Sequence, residues 1–217
     1  MTEPDTETAL IAAAFTLAAE KGWRRVSIAD AARHADIPLA VARAKMPSRH
    51  ALLLRFGRLA DAAALADAPT EGLPRDRLFD LLMRRIDALQ AHRAGVLAML
   101  DSLKTDPATA LMLSLATRSS MRWMLDAAGI PRGGSLGPLS DTLRVKGLVA
   151  VWLWTIRAWC RDDSLDLSAT MAALDVALTR AERAASWLTG RNDRPLATPD
   201  DDASFIEPPA TPAPEPV

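Results

Sequence analysis

Residues 26–47 read VSIADAARHADIPLAVARAKMP, and this stretch predicts two short helices joined by a tight turn. Ser27 is suited to the N-cap of the first helix because its side chain can accept a hydrogen bond from a free backbone amide. Asp36 falls in the turn, where a left-handed backbone is often needed, and aspartate tolerates that conformation better than most side chains. Pro38 fits the first position of the second helix, which we expect to end near Met46. The stretch is therefore typical of a helix-turn-helix.

The inner face of this helix pair is predicted from its small and apolar side chains. Alanines on such a face let two short helices cross closely at a steep angle. The residues that we expect there are Ile28, Ala31, Ala32, Ala35, Ile37 and Val41.

Flanking segments extend the pattern into a larger helical module. Apolar residues over 10–18 follow helical spacing, and Gly22 then supplies a C-terminal stop. Pro47 and Ser48 precede a longer helix that is expected over 49–66. A linker rich in Asp, Pro and Gly at residues 66–74 marks the predicted domain boundary.

The rest of the chain is also predicted to be helical until its last residues. It lacks tyrosine and is rich in Ala, Leu, Arg and Met, which favour helices over strands. The expected helices lie at 74–91, 93–104, 107–129, 139–161 and 168–189. The final segment is rich in proline and carries the acidic run at 200–202, so we expect a disordered tail at 190–217.

Whole-chain composition limits the kind of partner that the protein can have. The net charge is -1 over 217 residues, so any surface for nucleic acid must be local. A lone cysteine, Cys160, excludes a disulfide framework within the chain and is expected to pack as a small hydrophobe. The acidic N-terminus does not resemble a secretion signal, and the apolar run at 147–156 is too short to span a bilayer. These features predict a cytoplasmic protein without a membrane span.

Positive charge is concentrated around the helix-turn-helix. Between Glu20 and Arg58 there are nine basic and three acidic residues, a local excess of six. Basic side chains that neutralise phosphates release counterions, and this release drives much of DNA binding. The excess therefore favours a surface for the DNA backbone, with a merely solvated surface as the alternative.

The N-terminal pattern resembles the TetR/AcrR family of transcriptional regulators over about residues 8–56. The resemblance is carried by the helix at 10–19 with its Gly22-Trp23 ending, by the small and apolar positions at 26–37, and by Pro47-Ser48-Arg49 with the leucines at 52–53. It implies an all-α fold: a three-helix, DNA-binding helix-turn-helix domain at 1–66, then a helical-bundle domain at 74–189 for ligand binding and dimerisation. It also implies a double-stranded DNA operator. The candidate DNA-contacting residues are Arg24, Arg25, Ser27, Leu39, Ala40, Arg43, Lys45 and Arg49.

The second helix of the motif departs from the family pattern. Family members usually carry Ser or Thr at its start and an aromatic pair near its end, and residues 38–46 have neither. Only Arg43 and Lys45 can hydrogen-bond to a base or a phosphate. This departure weakens the prediction of DNA binding.

The larger domain is predicted to bind a small apolar ligand and to form a homodimer. Trp and Met side chains are concentrated there and can line an apolar pocket, although core packing explains them as well. The ligand candidates are Met99, Met121, Trp123 and Trp152. The last helix has an apolar seam with alternating spacings of three and four, which is typical of helix packing against a partner or within a monomer. The dimer candidates are Trp154, Met171, Leu174, Leu178, Ala181 and Leu188.

A second resemblance concerns the C-terminal part of the chain. Trp159, Asp162-Asp163-Ser164, Asp166, Thr170-Met171 and Leu174-Asp175 look like the accessory proteins of ubiquinone biosynthesis, which share the TetR fold and bind lipid. It implies an alternative function as a lipid- or isoprenoid-binding protein that does not bind DNA.

Residues that would indicate an enzyme are not grouped in the sequence. His34, His50 and His92 do not have metal-ligand spacing, and the glycine-rich segment 132–137 lacks the lysine of a phosphate-binding loop. We therefore predict that the protein is not an enzyme and uses no metal and no cofactor. The resemblance to TetR-type regulators implies instead a ligand-responsive repressor.

Overall fold

All regular structure in the described part of the chain is helical. The computed structural model describes residues 3–130 and 138–188, so the tail at 190–217 and the glycine-rich segment 132–137 lie outside the described residues. Two short 3-10 helices occupy Trp23–Arg25 and Leu103–Thr105. The α-helices are α1 Glu3–Lys21, α2 Ile28–His34, α3 Leu39–Lys45, α4 Arg49–Leu65, α5 Pro74–Gln90, α6 Arg93–Ser102, α7 Pro107–Ala127, α8 Pro138–Trp159 and α9 Ser168–Leu188. The predicted all-α class is confirmed.

Local chemistry explains where the N-terminal helices begin and end. Gly22 follows α1 with a φ of 81°, a left-handed conformation that glycine adopts without strain. Ser27 caps α2 in a capping box, since its Oγ accepts from the Asp30 amide at 3.0 Å and the Asp30 carboxylate accepts from the Ser27 amide at 3.2 Å. Asp36 has a φ of 53° in the turn. These three predictions are confirmed, whereas Pro38 lies one residue before α3 instead of within it.

One continuous core joins the N-terminal helices to the rest of the protein. Helix α1 packs against α6, and α4 packs against α5 and α7. At this junction Phe15 of α1 lies with its ring 4.7 Å from that of Phe56 in α4 and 5.5 Å from the ring of His92. Burial in this cluster lowers the pKa of His92. The helix-turn-helix therefore rests on a shared aromatic cluster and not on a flexible tether.

The loop between α8 and α9 is organised by the carboxylate of Asp162. Its Oδ2 accepts hydrogen bonds from the Thr170 amide at 2.7 Å and the Thr170 hydroxyl at 2.6 Å, and its Oδ1 accepts from the Ser164 amide at 3.1 Å. These hydrogen bonds, led by those from the Ser164 and Thr170 side chains, lower the pKa of Asp162 well below its ordinary value. Arg93 supports the loop through the carbonyls of Trp159 and Asp162, at 2.8 and 2.9 Å. Residues that carry the second resemblance thus have a structural role here.

Asp162→Asn is expected to lower the melting temperature at pH 7, because an amide cannot accept every hydrogen bond that the carboxylate accepts. A depressed folded-state pKa means that the stabilisation is present above the ordinary aspartate pKa of about 4 and is lost as pH falls toward the folded value. The gap between wild type and variant should therefore narrow in acid. Thermal melts between pH 7 and pH 3 measure this, with Asp163→Asn, whose side chain is fully exposed, as the matched control. If the melting temperatures of Asp162→Asn and wild type differed by the same amount at every pH, the carboxylate of Asp162 would not have the proposed stabilising role.

Candidate nucleic-acid interface

Helices α2 and α3 cross through small buried side chains, as a helix-turn-helix requires. Ala31 and Ala32 of α2 are fully buried, and Ile37 is buried in the turn. The α3 residue on the inner face is Ala42, whereas Val41 is 40% exposed. The prediction for Val41 is wrong because the rotation of α3 about its axis buries the neighbouring Ala42 and leaves Val41 on the exposed side.

The outer face of α3 is apolar and open to solvent. Leu39 is 49% exposed, and Ala40 and Ala44 are exposed beside it and Val41. Such side chains can contact thymine methyl groups in a major groove. They cannot form a hydrogen bond with a base, so Arg43 is the exposed side chain of α3 that could do so.

Arg43 is exposed but has one partner within the protein. Its Nη1 donates to the carbonyl oxygen of Pro47 at 2.7 Å, which satisfies a carbonyl in the turn between α3 and α4. Ser48 caps α4 from the same turn by accepting from the Ala51 amide at 3.1 Å. A guanidinium has five N–H donors, so Arg43 retains donors for a nucleic acid.

Lys45 lies on a different side of the motif from the outer face of α3. It is half-buried and lines a surface depression between α1, α3 and α4, together with Glu7, Arg55 and Arg58. Arg55 forms an ion pair with Glu7 in that depression. Lys45 therefore faces a depression that carries both positive and negative charge, and not the exposed apolar face of α3.

The basic residues that precede and follow the motif have unequal roles. Arg49 is half-buried, and its Nη1 donates to the carbonyls of Trp23 and Arg24 at 3.1 and 3.0 Å, so it fixes the start of α4 to the first 3-10 helix. Arg24 is exposed and donates to the Thr105 hydroxyl at 3.1 Å. Arg25 is exposed. Arg25 thus differs from Arg24 and Arg49, whose guanidinium groups are bound within the protein.

Two exposed arginines of the N-terminal module are not among the DNA-contacting residues that the sequence predicts. Arg33 in the last turn of α2 and Arg58 in α4 are both exposed. Arg33 pairs with Asp30 at 3.1 Å, and Lys21 pairs with the same carboxylate at 3.3 Å. The hydrogen bond from Ser27 and the one from Lys21 lower the pKa of Asp30. One of the few acidic charges of the module is thus held by its own basic neighbours, which a count of charges along the sequence does not reveal.

The ligand candidates are divided between the core and the surface. Met99, Met121 and Trp152 are buried, but Trp123 is 64% exposed. Trp123 therefore lies on the outer side of α7, and its predicted contact with an apolar ligand stays a prediction. Cys160 is half-buried against the core, and burial raises the pKa of its thiol, in keeping with its expected packing role.

The dimer candidates on α9 are largely used within the protomer. Leu174 and Leu178 are buried, so their assignment to a dimer surface is wrong: α9 packs along α8 of the same chain. Met171 and Ala181 are half-buried, and the side chain of Leu188 lies outside the described set. Trp154 is 50% exposed on α8, near Arg180. Among the side chains described for this helix pair, the large apolar ones that are exposed are Leu139, Leu143, Leu153, Trp154 and Val176.

Two further features are absent from the part of the chain that the structure describes. No group of three or more His, Cys, Asp or Glu side chains is placed there to hold a metal ion. Within residues 3–130 and 138–188, none of the helices has the length and apolar character needed to cross a membrane.

Together these features define an all-α protein with an N-terminal helix-turn-helix on a helical bundle. Its architecture is that of TetR transcriptional regulators of known structure. One from Nitrosomonas europaea ATCC 19718 superposes with a TM-score of 0.67 at 21% sequence identity, over 82% of this chain and 98% of that one. Another from Rhodococcus sp. RHA1 gives 0.54 at 21% identity, over 83% and 97% of the two chains.

A putative TetR-family transcriptional regulator from Rhodococcus sp. gives a TM-score of 0.55 at 20% identity, over 80% of this chain and 99% of that one. No family model matches the sequence, and no curated protein matches it. At sequence identities of 20–21%, this structural similarity shows that the fold is shared and nothing more. The resemblance to the ubiquinone accessory proteins stays a prediction.

Proposed function

We propose that the protein is a cytoplasmic, DNA-binding transcriptional regulator and acts as a ligand-responsive repressor. The observation that carries the proposal is the helix-turn-helix whose outer helix α3 is exposed and carries the exposed Arg43, with Arg25 and Arg33 also exposed in the same N-terminal module. The fold shared with TetR regulators supports it. In this proposal residues 1–66 bind an operator, and residues 74–189 bind a small ligand and a second protomer.

The proposed DNA contacts divide into groove and backbone contacts. Helix α3 enters the major groove, where Leu39 and Ala40 contact thymine methyl groups and Arg43 contacts a guanine or a phosphate. Phosphate contacts come chiefly from Arg25, while Ser27 serves mainly as the cap of α2. Arg24, Lys45 and Arg49 contribute charge while they keep their contacts within the protein.

A homodimer is proposed through the outward-facing apolar residues of α8 and α9, chiefly Leu153, Trp154 and Val176. Exposed apolar side chains that recur along a helix pair are typical of a protein interface. Two-fold symmetry places two α3 helices in successive major grooves, roughly 34–36 Å apart. A ligand changes DNA affinity only if it binds one spacing of the two helices more tightly than another.

The double variant Arg25→Ala/Arg43→Ala is expected to lose about 100-fold or more in affinity for the selected DNA. Each lost contact costs roughly 1–3 kcal/mol, and a lost phosphate contact reduces the salt slope by about one. The DNA is first selected from genomic fragments bound by the full chain, and affinities are then measured by fluorescence anisotropy at several stated salt concentrations. A stoichiometry of two protomers per duplex is expected.

The matched control is Arg118→Ala/Arg122→Ala, which removes the same charge from exposed positions on α7, outside the helix-turn-helix. Its affinity should stay within about twofold of wild type, because screened surface charges far from the DNA contribute little. Equal losses of DNA affinity in both double variants would mean that the protein attracts DNA non-specifically through its overall positive charges. If the selection from genomic fragments enriches no DNA sequence, the proposal that the protein is a transcriptional regulator is wrong.

A second candidate function is a lipid-binding protein that uses the same fold without DNA. It is favoured by the apolar outer face of α3 and by the bond between Arg43 and the Pro47 carbonyl. This function predicts a co-purifying apolar molecule, detected by mass spectrometry of organic extracts, and no enriched DNA in the same selection.

A further inference from the structure

The outer side of α7 exposes a row of apolar and basic side chains. Leu111 and Leu115 are each more than 60% exposed, and Arg118 and Arg122 are exposed farther along the helix. Residues three and four apart are neighbours on one side of a helix, so these four residues form a continuous surface, which we call the α7 face. Trp123, also more than 60% exposed, lies at its edge.

The opposite side of α7 is bound to the helices of the larger domain. The Ser120 hydroxyl donates to the carboxylate of Asp61 in α4, and the same carboxylate pairs at 2.7 Å with Arg85 in α5. The Arg85 guanidinium in turn lies 4.3 Å from the ring centroid of Trp152 in α8. These contacts fix the rotation of α7, so the α7 face points away from the core.

The charge of the α7 face selects the kind of partner. Residues 107–125 contain no acidic side chain, so the arginines give this surface a positive charge. The exposed apolar side chains of α8 and α9 are in a different setting, because Asp175 and Glu182 are exposed on α9. By electrostatic complementarity, an apolar surface that carries positive charge fits a partner that is both apolar and acidic.

A segment of that chemistry occurs in this chain itself. Residues 200–207 have the sequence DDDASFIE, which combines four carboxylates with the large apolar side chains of Phe205 and Ile206. No basic residue is present in 195–217. The segment follows the end of α9 at Leu188, after an intervening stretch at 189–199.

The end of α9 lies on the same side of the larger domain as the end of α7, because the first turn of α5 contacts both. Arg75 of α5 donates to the Thr179 hydroxyl of α9 at 3.1 Å. The Arg77 guanidinium of α5 lies beside Gly129, just after α7, 2.9 Å from the place that a Cβ would occupy.

These contacts bring the α7 face within reach of the segment. Leu188 is nine residues beyond Thr179, and Arg122 is seven residues before Gly129, which are about 13 and 10 Å along a helix. The stretch at 189–199 spans up to roughly 36–40 Å when extended. That length covers both distances and the roughly 10 Å width of a helix.

The N-terminal module is a more distant surface for the same segment. It lies next to the start of α7, where Nε2 of His50 and the Thr109 hydroxyl are 2.9 Å apart. Helix α7 has 21 residues, so the module lies about 30 Å farther from the end of α9. The α7 face is therefore the nearer basic and apolar surface.

We propose that residues 200–207 of this chain bind the α7 face. The carboxylates of the segment pair with Arg118 and Arg122, and its two large apolar side chains pack against those of the face. This contact covers apolar surface that is otherwise open to other molecules. It is one contact within a tail that the sequence predicts to be disordered, and it does not depend on DNA binding.

Two introduced thiols test the contact in the full chain. Ser119→Cys places one thiol beside the α7 face, and Ser204→Cys places the other in the segment, in a Cys160→Ala background. A disulfide forms only where the two Cα atoms approach within about 7 Å. Its formation is followed with a fixed concentration of oxidised glutathione, by non-reducing electrophoresis and mass spectrometry.

The matched control is the pair Ala184→Cys/Ser204→Cys. Ala184 is exposed on α9 and is much nearer to the segment along the chain, so random encounters favour this control pair. Binding to the α7 face is expected to reverse that order. The pair with Ser119→Cys should form its disulfide within one chain about tenfold or more faster than the control pair.

Charge substitutions separate specific binding from chance contact. Arg118→Ala/Arg122→Ala should slow the disulfide to about the rate of the control pair, as should asparagine in place of the three aspartates at 200–202. Arg33→Ala/Arg58→Ala removes the same charge from exposed positions of the N-terminal module and should leave the rate unchanged. Equal rates for the two thiol pairs, a rate insensitive to Arg118→Ala/Arg122→Ala, or disulfides between two chains, which would mean that a second copy covers the face, would each overturn the inference. Because no DNA is used, failure here is distinct from failure of the regulator proposal.

Discussion

Gly95→Ala is expected to destabilise the protein by about 3 kcal/mol, the upper part of the range for overpacking. Gly95 lies in α6 where that helix meets α1, and an added Cβ would be 2.3 Å from the carbonyl oxygen of Phe15 and 2.6 Å from its Cβ. The oxygen belongs to the α1 backbone, so no side-chain rotation can relieve the contact. The two helices would have to separate, which loosens the aromatic cluster that joins the helix-turn-helix to the rest of the protein.

Gly57→Ala is the matched control, since the same methyl group is added inside another helix. Nothing lies within 4 Å of a Cβ at Gly57, and alanine in a helix is more stable than glycine by roughly 0.5–1 kcal/mol. Urea unfolding followed by circular dichroism should therefore give changes of opposite sign for the two substitutions. A Gly95→Ala protein as stable as wild type would show that α1 and α6 do not approach as closely as described.

Features that depend on local chemistry could be predicted from the sequence. Gly22, Ser27 and Asp36 determine where the helices of the motif begin and end through backbone conformation and a single capping interaction. Pro74 and Pro107 begin α5 and α7 for the same kind of reason, because the first turn of a helix does not need the missing amide. Such features involve residues that are close in the chain, so their pattern is readable without tertiary structure.

Features that depend on helix rotation and on distant partners could not be predicted in the same way. An apolar seam such as that of Leu174 and Leu178 has the same spacing whether it faces a partner chain or a helix of its own protomer. The rotation of α3 about its axis is set by its packing in the folded protein, and it buries Ala42 where the sequence pattern predicted Val41. Gly95 lies inside a predicted helix, where glycine is less favourable than alanine by about 1 kcal/mol. An unfavourable residue at such a position is the feature of the sequence that could have indicated close packing between helices.

The arginines of the proposed DNA-binding surface show the same limit at the level of the site. The charge excess around the motif was visible in the sequence, but the partners of each arginine were not. Arg49 holds two carbonyls of the first 3-10 helix, and Arg24 reaches Thr105, which is far away in the chain. Only the three-dimensional structure separates arginines whose guanidinium groups bind other parts of the protein from those, such as Arg25, that are exposed to solvent.

Removal of either partner from the buried pair of Asp61 and Arg85 is expected to cost about 3–5 kcal/mol, because the remaining charge is left buried and unpaired. Asp61→Leu leaves the Arg85 guanidinium with a hydroxyl and an aromatic ring as its contacts. Arg85→Met leaves the carboxylate with the Ser120 hydroxyl. Each single variant should show this loss in its free energy of unfolding, measured by urea denaturation at pH 7.

The double variant Asp61→Leu/Arg85→Met should recover most of that loss and fall within about 1–2 kcal/mol of wild type, since apolar groups of similar volume replace a buried ion pair at little cost. Methionine also keeps a favourable contact with the Trp152 ring. The same substitutions at the exposed pair of Asp101 and Lys104, which are 2.6 Å apart, should change stability by less than about 1 kcal/mol. Additive losses of stability in the buried double variant would mean that each side chain stabilises the core through its own packing and not through the ion pair.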